Sequence, residues 1–167
     1  MVLTKEELIS SLQNEVRILV HLAGKIDPAQ IDYRPTPKQR SFIELLRYLS
    51  IMGPGLIPAI KTGTFDGAAF GAAAATAAKL DLAGVIASIG TQSALYAETL
   101  GAFTEADFRG EIDMFGSKRS RGAHIVFLVL GGFAAYRTQL FLYLKACGRE
   151  ELSTMNLWGG MDAPVQA

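Results

Sequence analysis

The stretch IVFLVLGGFAAYRTQLFLYLKACG, residues 125–148, decides the fold. Val126, Val129, Phe133, Tyr136, Leu140, Tyr143 and Cys147 recur at alternating steps of three and four, which places them on one stripe of a long helix. Beside it runs a second stripe of Ile125, Leu128, Gly132, Ala135, Leu142 and Ala146, interrupted by Gln139. Two adjacent apolar stripes call for two neighbours. The small residues Gly131, Gly132, Ala134 and Ala135 let another helix, or a dimer partner, approach closely. Residues 125–136 carry no charge, but this run is shorter than the ~18 to 20 residues needed to cross a bilayer, so it reads as a buried helix.

Working outward, three more helices are predicted. Leu8, Leu12, Val16, Leu19, Ala23 and Ile26 form the stripe of a first helix over residues 4–25, closed by Asp27-Pro28. Residues 28–40, with Pro35 and Pro37, read as an extended surface connection. Ser41-Phe42-Ile43-Glu44 is a capping box that opens a second helix with Leu45, Tyr48, Leu49 and Met52 on its core stripe. Gly53-Pro54-Gly55 is expected to break or kink that helix, and Pro58 to disturb it again. Residues 61–77 are rich in glycine and alanine and lack a stripe, the pattern of a mobile loop or lid. Leu82, Ile86, Ile89, Ser93, Tyr96 and Leu100 restore the helical period, and Gly101 ends this third helix. Residues 104–115 read as one helical turn and a loop. After Gly148, Leu152, Met155, Leu157 and Trp158 form an apolar flap ahead of Gly159-Gly160 and a disordered end.

A chain of 167 residues suits one domain with one core. Sixteen basic residues balance sixteen acidic ones, so no net field holds the protein on nucleic acid or an anionic membrane; neither partner is expected. The only cysteine, Cys147, excludes an internal disulfide, and the glutamates near the amino terminus do not suit a signal peptide. A cytoplasmic location follows as the expectation.

Tyr33-Arg34-Pro35, the opening of the second helix at 41–49, Tyr136-Arg137-Thr138-Gln139-Leu140, Tyr143-Leu144 and Cys147-Gly148 together resemble the DinB/YfiT-like family of four-helix bundles. The resemblance covers the order and length of all four helices. It implies an all-α, up-down-down-up bundle, with residues 61–77 crossing over between parallel second and third helices, and it implies a homodimer. Metal-binding members carry a histidine seven residues after the second-helix serine and two more, four apart, on the fourth helix. Those positions are Tyr48, Gly132 and Tyr136 here. A neutral tyrosine, with a pKa near ~10, is a poor ligand and glycine is none, so no metal or other cofactor is expected.

The two histidines do not replace the missing set. His21 shares a polar strip with Asn14, Arg17 and Lys25 and reads as solvated; His124 lies about three turns from Tyr136 and is rotated roughly 120° from it. Buried Tyr48 and Tyr136 need partners for their hydroxyls, which each other, Gln139 or a water would supply. Alternatively they orient a small ligand in a metal-free pocket that also uses Arg137, Gln139 and Tyr143. Lys118, Arg119 and Arg121 precede the fourth helix, where the dipole disfavours cations; they form either an anion site or a basic loop paired with Glu111 or Asp113. Cys147 reads as a small buried hydrophobe. No catalytic residue is identifiable. The expected function is a non-metal ligand-binding or structural, stress-associated dimer. The alternative is a transferase or isomerase that handles a small thiol-linked substrate in a remodelled pocket.

Overall fold

The computed structural model describes residues 3–164. In chain order it contains α1 (Lys5–Ala23), a 3-10 turn at Pro28–Gln30, α2 (Phe42–Thr62), α3 (Gly67–Ala77), α4 (Leu82–Gly101) and α5 (Glu105–Arg109). A hairpin of β1 (Glu111–Met114) and β2 (Ser117–Ser120) then leads into α6 (Arg121–Ala146). α1, α2, α4 and α6 are the bundle. Its core is built from residues such as Leu12, Leu19, Phe42, Leu45, Leu49, Ile89, Val129 and Phe133, all fully buried.

Side chains that bridge the helices fix their directions. Lys5 donates to the Gly101 carbonyl and Gln13 to that of Ser93, so α1 and α4 are antiparallel. Arg47 reaches Leu80 and the amide of Gln92 reaches Leu49, so α2 and α4 run the same way. Arg121 bonds Ile60 while Tyr143 bonds Arg40, so α6 is antiparallel to α2. Ser41 with Glu44 forms the complete capping box that the sequence predicts; Thr4 with Glu7 forms a second one at the start of α1, and Asp81 caps α4.

The structure departs from expectation in five places. First, α2 runs unbroken through Gly53-Pro54-Gly55 and Pro58. A Cβ on Gly53 would lie 1.7 Å from the Tyr96 hydroxyl, and one on Gly55 2.6 Å from the Phe70 ring. These glycines are therefore the contact points of α4 and α3, not breakers. Second, residues 67–77 are a helix, not a loop. Asp66 accepts from the Ala69 amide, and alanine's intrinsic propensity supplies the rest without a core stripe.

Third, the loop expected before residue 115 contains a hairpin, with Ile112 and Met114 turned inward. Its two-residue turn, Phe115-Gly116, has positive φ at both residues.

Fourth, α6 widens at Ile125–Leu130, where the Gly131 amide donates five residues back to Val126. The widened turn shifts the helical phase. Ile125, Val129, Phe133, Arg137, Leu140 and Leu144 are buried, whereas Val126 and Leu142 are exposed. The second stripe, from Ala135 onward, faces out. Among the described residues α2 and α6 are the two helices long and apolar enough to cross a membrane by length and composition; just over half of the apolar part of α2 is buried within the bundle, while much of α6 lies on its surface.

Fifth, the tail is anchored by polar groups more than by an apolar flap. Leu152 and Asn156 are buried, but Met155 and Trp158 are exposed. Beyond Gly160, Asp162 pairs with Lys25 at 2.6 Å, and the tail partly covers His21, which is half-buried and not fully solvated as expected. The last residues of the expected disordered end, 165–167, lie outside the described part.

Candidate functional site

The three positions at which the family resemblance places metal ligands do converge. Tyr48 and Met52 on α2 face Gly132 and Tyr136 on the antiparallel α6, and all four line one cavity of about 390 Å³. The Tyr48 and Tyr136 rings meet edge to face, with centroids 5.3 Å apart. Burial, and then the neighbouring Tyr136 phenol, push the Tyr48 hydroxyl above its ordinary pKa, while Arg40 pulls the other way. Its guanidinium lies over the Tyr48 ring, 4.1 Å from the centroid.

The donors present do not fit the three-imidazole metal centre of the family's metal-binding members. Tyr48 is held neutral, and a Cβ on Gly132 would lie 3.2 Å from the Met52 methyl, so a thioether fills the space where a side chain would extend. Among the described residues no three His, Cys, Asp or Glu side chains lie close enough to hold a metal ion.

What the sequence did not reveal is the aromatic wall. Phe65 and Phe70 flank the α2–α3 connection, Phe115 sits at the hairpin tip and Phe127 in the widened turn of α6; all four line the cavity beside the tyrosines. Phe65 packs against both Phe70 and Phe115 at 5.3 and 5.5 Å. Phe65, Phe115 and Phe127 are among the few exposed large hydrophobic residues. The one local signal was Phe115-Gly116 as a hairpin turn. The convergence itself is tertiary.

A DinB-like protein of Bacillus subtilis, YjoA, has a crystal structure that matches with a TM-score of 0.66 at 22% sequence identity, over 87% of this chain and 94% of that one. The chain has a DinB-like fold. No family model matches it, and no curated protein does either.

On this DinB-like fold the other sequence-predicted residues scatter. Arg137 faces away from the cavity, into the bundle, where its Nε lies 3.3 Å from a Glu15 carboxylate oxygen; both side chains are buried. Burial raises the Glu15 pKa and Arg137 opposes it. The Trp158 ring lies 4.9 Å from the Arg137 guanidinium carbon. Glu15 itself was missed, because the first-helix stripe marks only apolar positions. Gln139 donates to the Tyr143 hydroxyl, which donates in turn to the Arg40 carbonyl. Both line a separate groove with Tyr33 and Leu142.

The basic cluster divides as well. Lys118 pairs with Glu111 at 3.2 Å on the surface, and Arg121 donates to the Ile60 and Lys61 carbonyls at the end of α2. Arg119 stacks on Phe127 at 4.6 Å. His124 is buried, and neither ring nitrogen has a partner among the described residues. Cys147, half-buried at the end of α6, has its thiol pKa raised by burial. A larger groove of about 620 Å³ lies between α2 and α3. Its polar groups are engaged with the backbone: Asp66 caps α3, and the Thr62 hydroxyl bonds the Pro58 carbonyl.

Proposed function

We propose that the chain is a metal-free, ligand-binding bundle that holds a small apolar molecule in the cavity between α2 and α6. One observation carries this reading. Exposed aromatic rings from three separate segments, Phe65, Phe115 and Phe127, are kept around the Tyr48–Tyr136 pair at the cost of leaving apolar surface in water. A cavity of about 390 Å³ suits a ligand with one or two fused rings. The chain acts as a homodimer; exposed Val126 and Leu142 on α6 give a partner apolar surface to cover.

Calorimetric titration with neutral 2-naphthalenemethanol tests the pocket. Saturable binding that weakens about tenfold in Phe127→Ala is expected, and no binding at millimolar concentration overturns the reading. Metal analysis of untagged protein tests the other half, because stoichiometric zinc, nickel or iron contradicts a metal-free site. Sedimentation at the 17.9 kDa monomer mass at all concentrations contradicts the dimer.

A further inference from the structure

We infer that the ligand of this cavity is an amphipathic anion, its apolar body held between the phenylalanines and its carboxylate or similar group placed at the Tyr48–Tyr136 end beside Arg40. The inference rests on the pocket reading above and deepens it by naming the ligand's charge and orientation.

The cavity is polar at one end only. Tyr48 and Tyr136 stand at that end, while Phe65, Phe70, Phe115 and Leu56 close the rest. The Tyr48 hydroxyl is turned to Tyr136, and with no acidic group lining the cavity among the described residues the Tyr136 hydroxyl is the donor offered to a ligand oxygen.

Arg40 supplies the charge. It is exposed at the start of α2, its guanidinium stacks on Tyr48, and among the described residues it makes no ion pair. Three other cations near α2 and α6 are engaged: Arg34 pairs with Glu44, Arg47 holds the Leu80 carbonyl, and Lys118 pairs with Glu111. A guanidinium over an aromatic ring keeps N–H groups for a carboxylate, and the Tyr136 phenol at the same end completes an anion-accepting pair. Arg119 also stacks on a cavity ring, but at Phe127, toward the opposite end of the antiparallel α2–α6 pair; it shields the apolar body and does not contact the anion.

The test is calorimetric titration of 2-naphthoate against 2-naphthalenemethanol, which share the same rings and differ in charge. The carboxylate is expected to bind about tenfold more tightly at low salt. Arg40→Met should abolish that preference, whereas Arg119→Met should keep it. Both residues are on the surface, so circular dichroism suffices to show that the variants are folded. Equal binding of the two probes overturns the anion inference and leaves the pocket standing. Failure of both to bind overturns the pocket. A preference that survives Arg40→Met, or is lost in Arg119→Met, overturns the assigned orientation.

Discussion

Gln92 on α4 donates from Nε2 to the backbone carbonyl of Ser50 on α2 at 3.2 Å, and that carbonyl is the one Pro54 leaves without a helical donor. Proline has no N–H to return to the residue four before it. The same amide also reaches the Leu49 carbonyl, and its oxygen accepts from the Tyr96 hydroxyl at 2.6 Å. Gly53 leaves room for that hydroxyl. A proline inside a buried helix is thus tolerated because a side chain from the next helix replaces the lost hydrogen bond.

Gln92→Leu should therefore destabilise the protein by about 2 to 4 kcal/mol, since the Ser50 carbonyl and the Tyr96 hydroxyl both lose partners in the core. In a Pro54→Ala background, the alanine N–H can satisfy Ser50, and the cost should fall by roughly 1 kcal/mol. Urea denaturation of the four proteins measures this coupling. Additive losses would show that Gln92 does not compensate for the proline.

The Glu15–Arg137 pair makes a second prediction. Arg137→Met leaves a buried carboxylate alone and should cost about 3 to 5 kcal/mol, whereas Glu15→Leu combined with Arg137→Met should lose much less. The pH dependence has a definite sign. Because the folded pKa of Glu15 lies above its ordinary 4.5, the folded state holds the proton more tightly. Glu15's contribution is thus most favourable below pH 4.5 and declines as pH rises through the raised value. Stability measured against pH for Glu15→Gln should lack that decline; an identical slope in both proteins would disprove it.

Phe115 sits in the left-handed region, with φ of 54°, at the tip of the hairpin. A bulky side chain there stores about 1 to 2 kcal/mol of strain. Phe115→Asn should raise the melting temperature by several degrees while weakening 2-naphthalenemethanol binding. A variant that is more stable and binds equally well would show that the ring plays no part in the pocket.

His21 governs the tail. Asn156 Nδ2 lies 3.1 Å from His21 Nε2, a bond that needs the neutral ring, and burial followed by Lys25 lowers the His21 pKa below 6.5. The unfolded chain then binds a proton first, so this contribution is intact above pH 6.5 and is lost as pH falls toward the lowered value. Fluorescence of Trp158, the chain's single tryptophan, should shift to the red over that range as the tail loosens. His21→Gln should flatten the change, and an unaltered titration would contradict the role of His21.

Much of the bundle was legible because helices announce themselves locally. Leu8 to Ala23 and Leu82 to Leu100 repeat with the helical period, and Ser41 with Glu44 closes a hydrogen-bonded ring within four residues. The misreadings came where the local signal was real but a distant residue changed its meaning. Gly53-Pro54 is a breaker until Gln92 and Tyr96 arrive from α4. Val126 belongs to the stripe until the widened turn rotates it into solvent.

From the sequence alone came the four long helices, the Ser41–Glu44 cap that starts the second, and the DinB-like resemblance, all of which depend on residues near one another in the chain. The aromatic pocket, the burial of Arg137 against Glu15 and the dispersal of Lys118, Arg119 and Arg121 were decided only in three dimensions. Phe65, Phe115 and Phe127 share no local period. They meet because antiparallel packing of α6 on α2 brings the hairpin and the α2–α3 connection to the same end, and packing of that kind depends on the whole core at once.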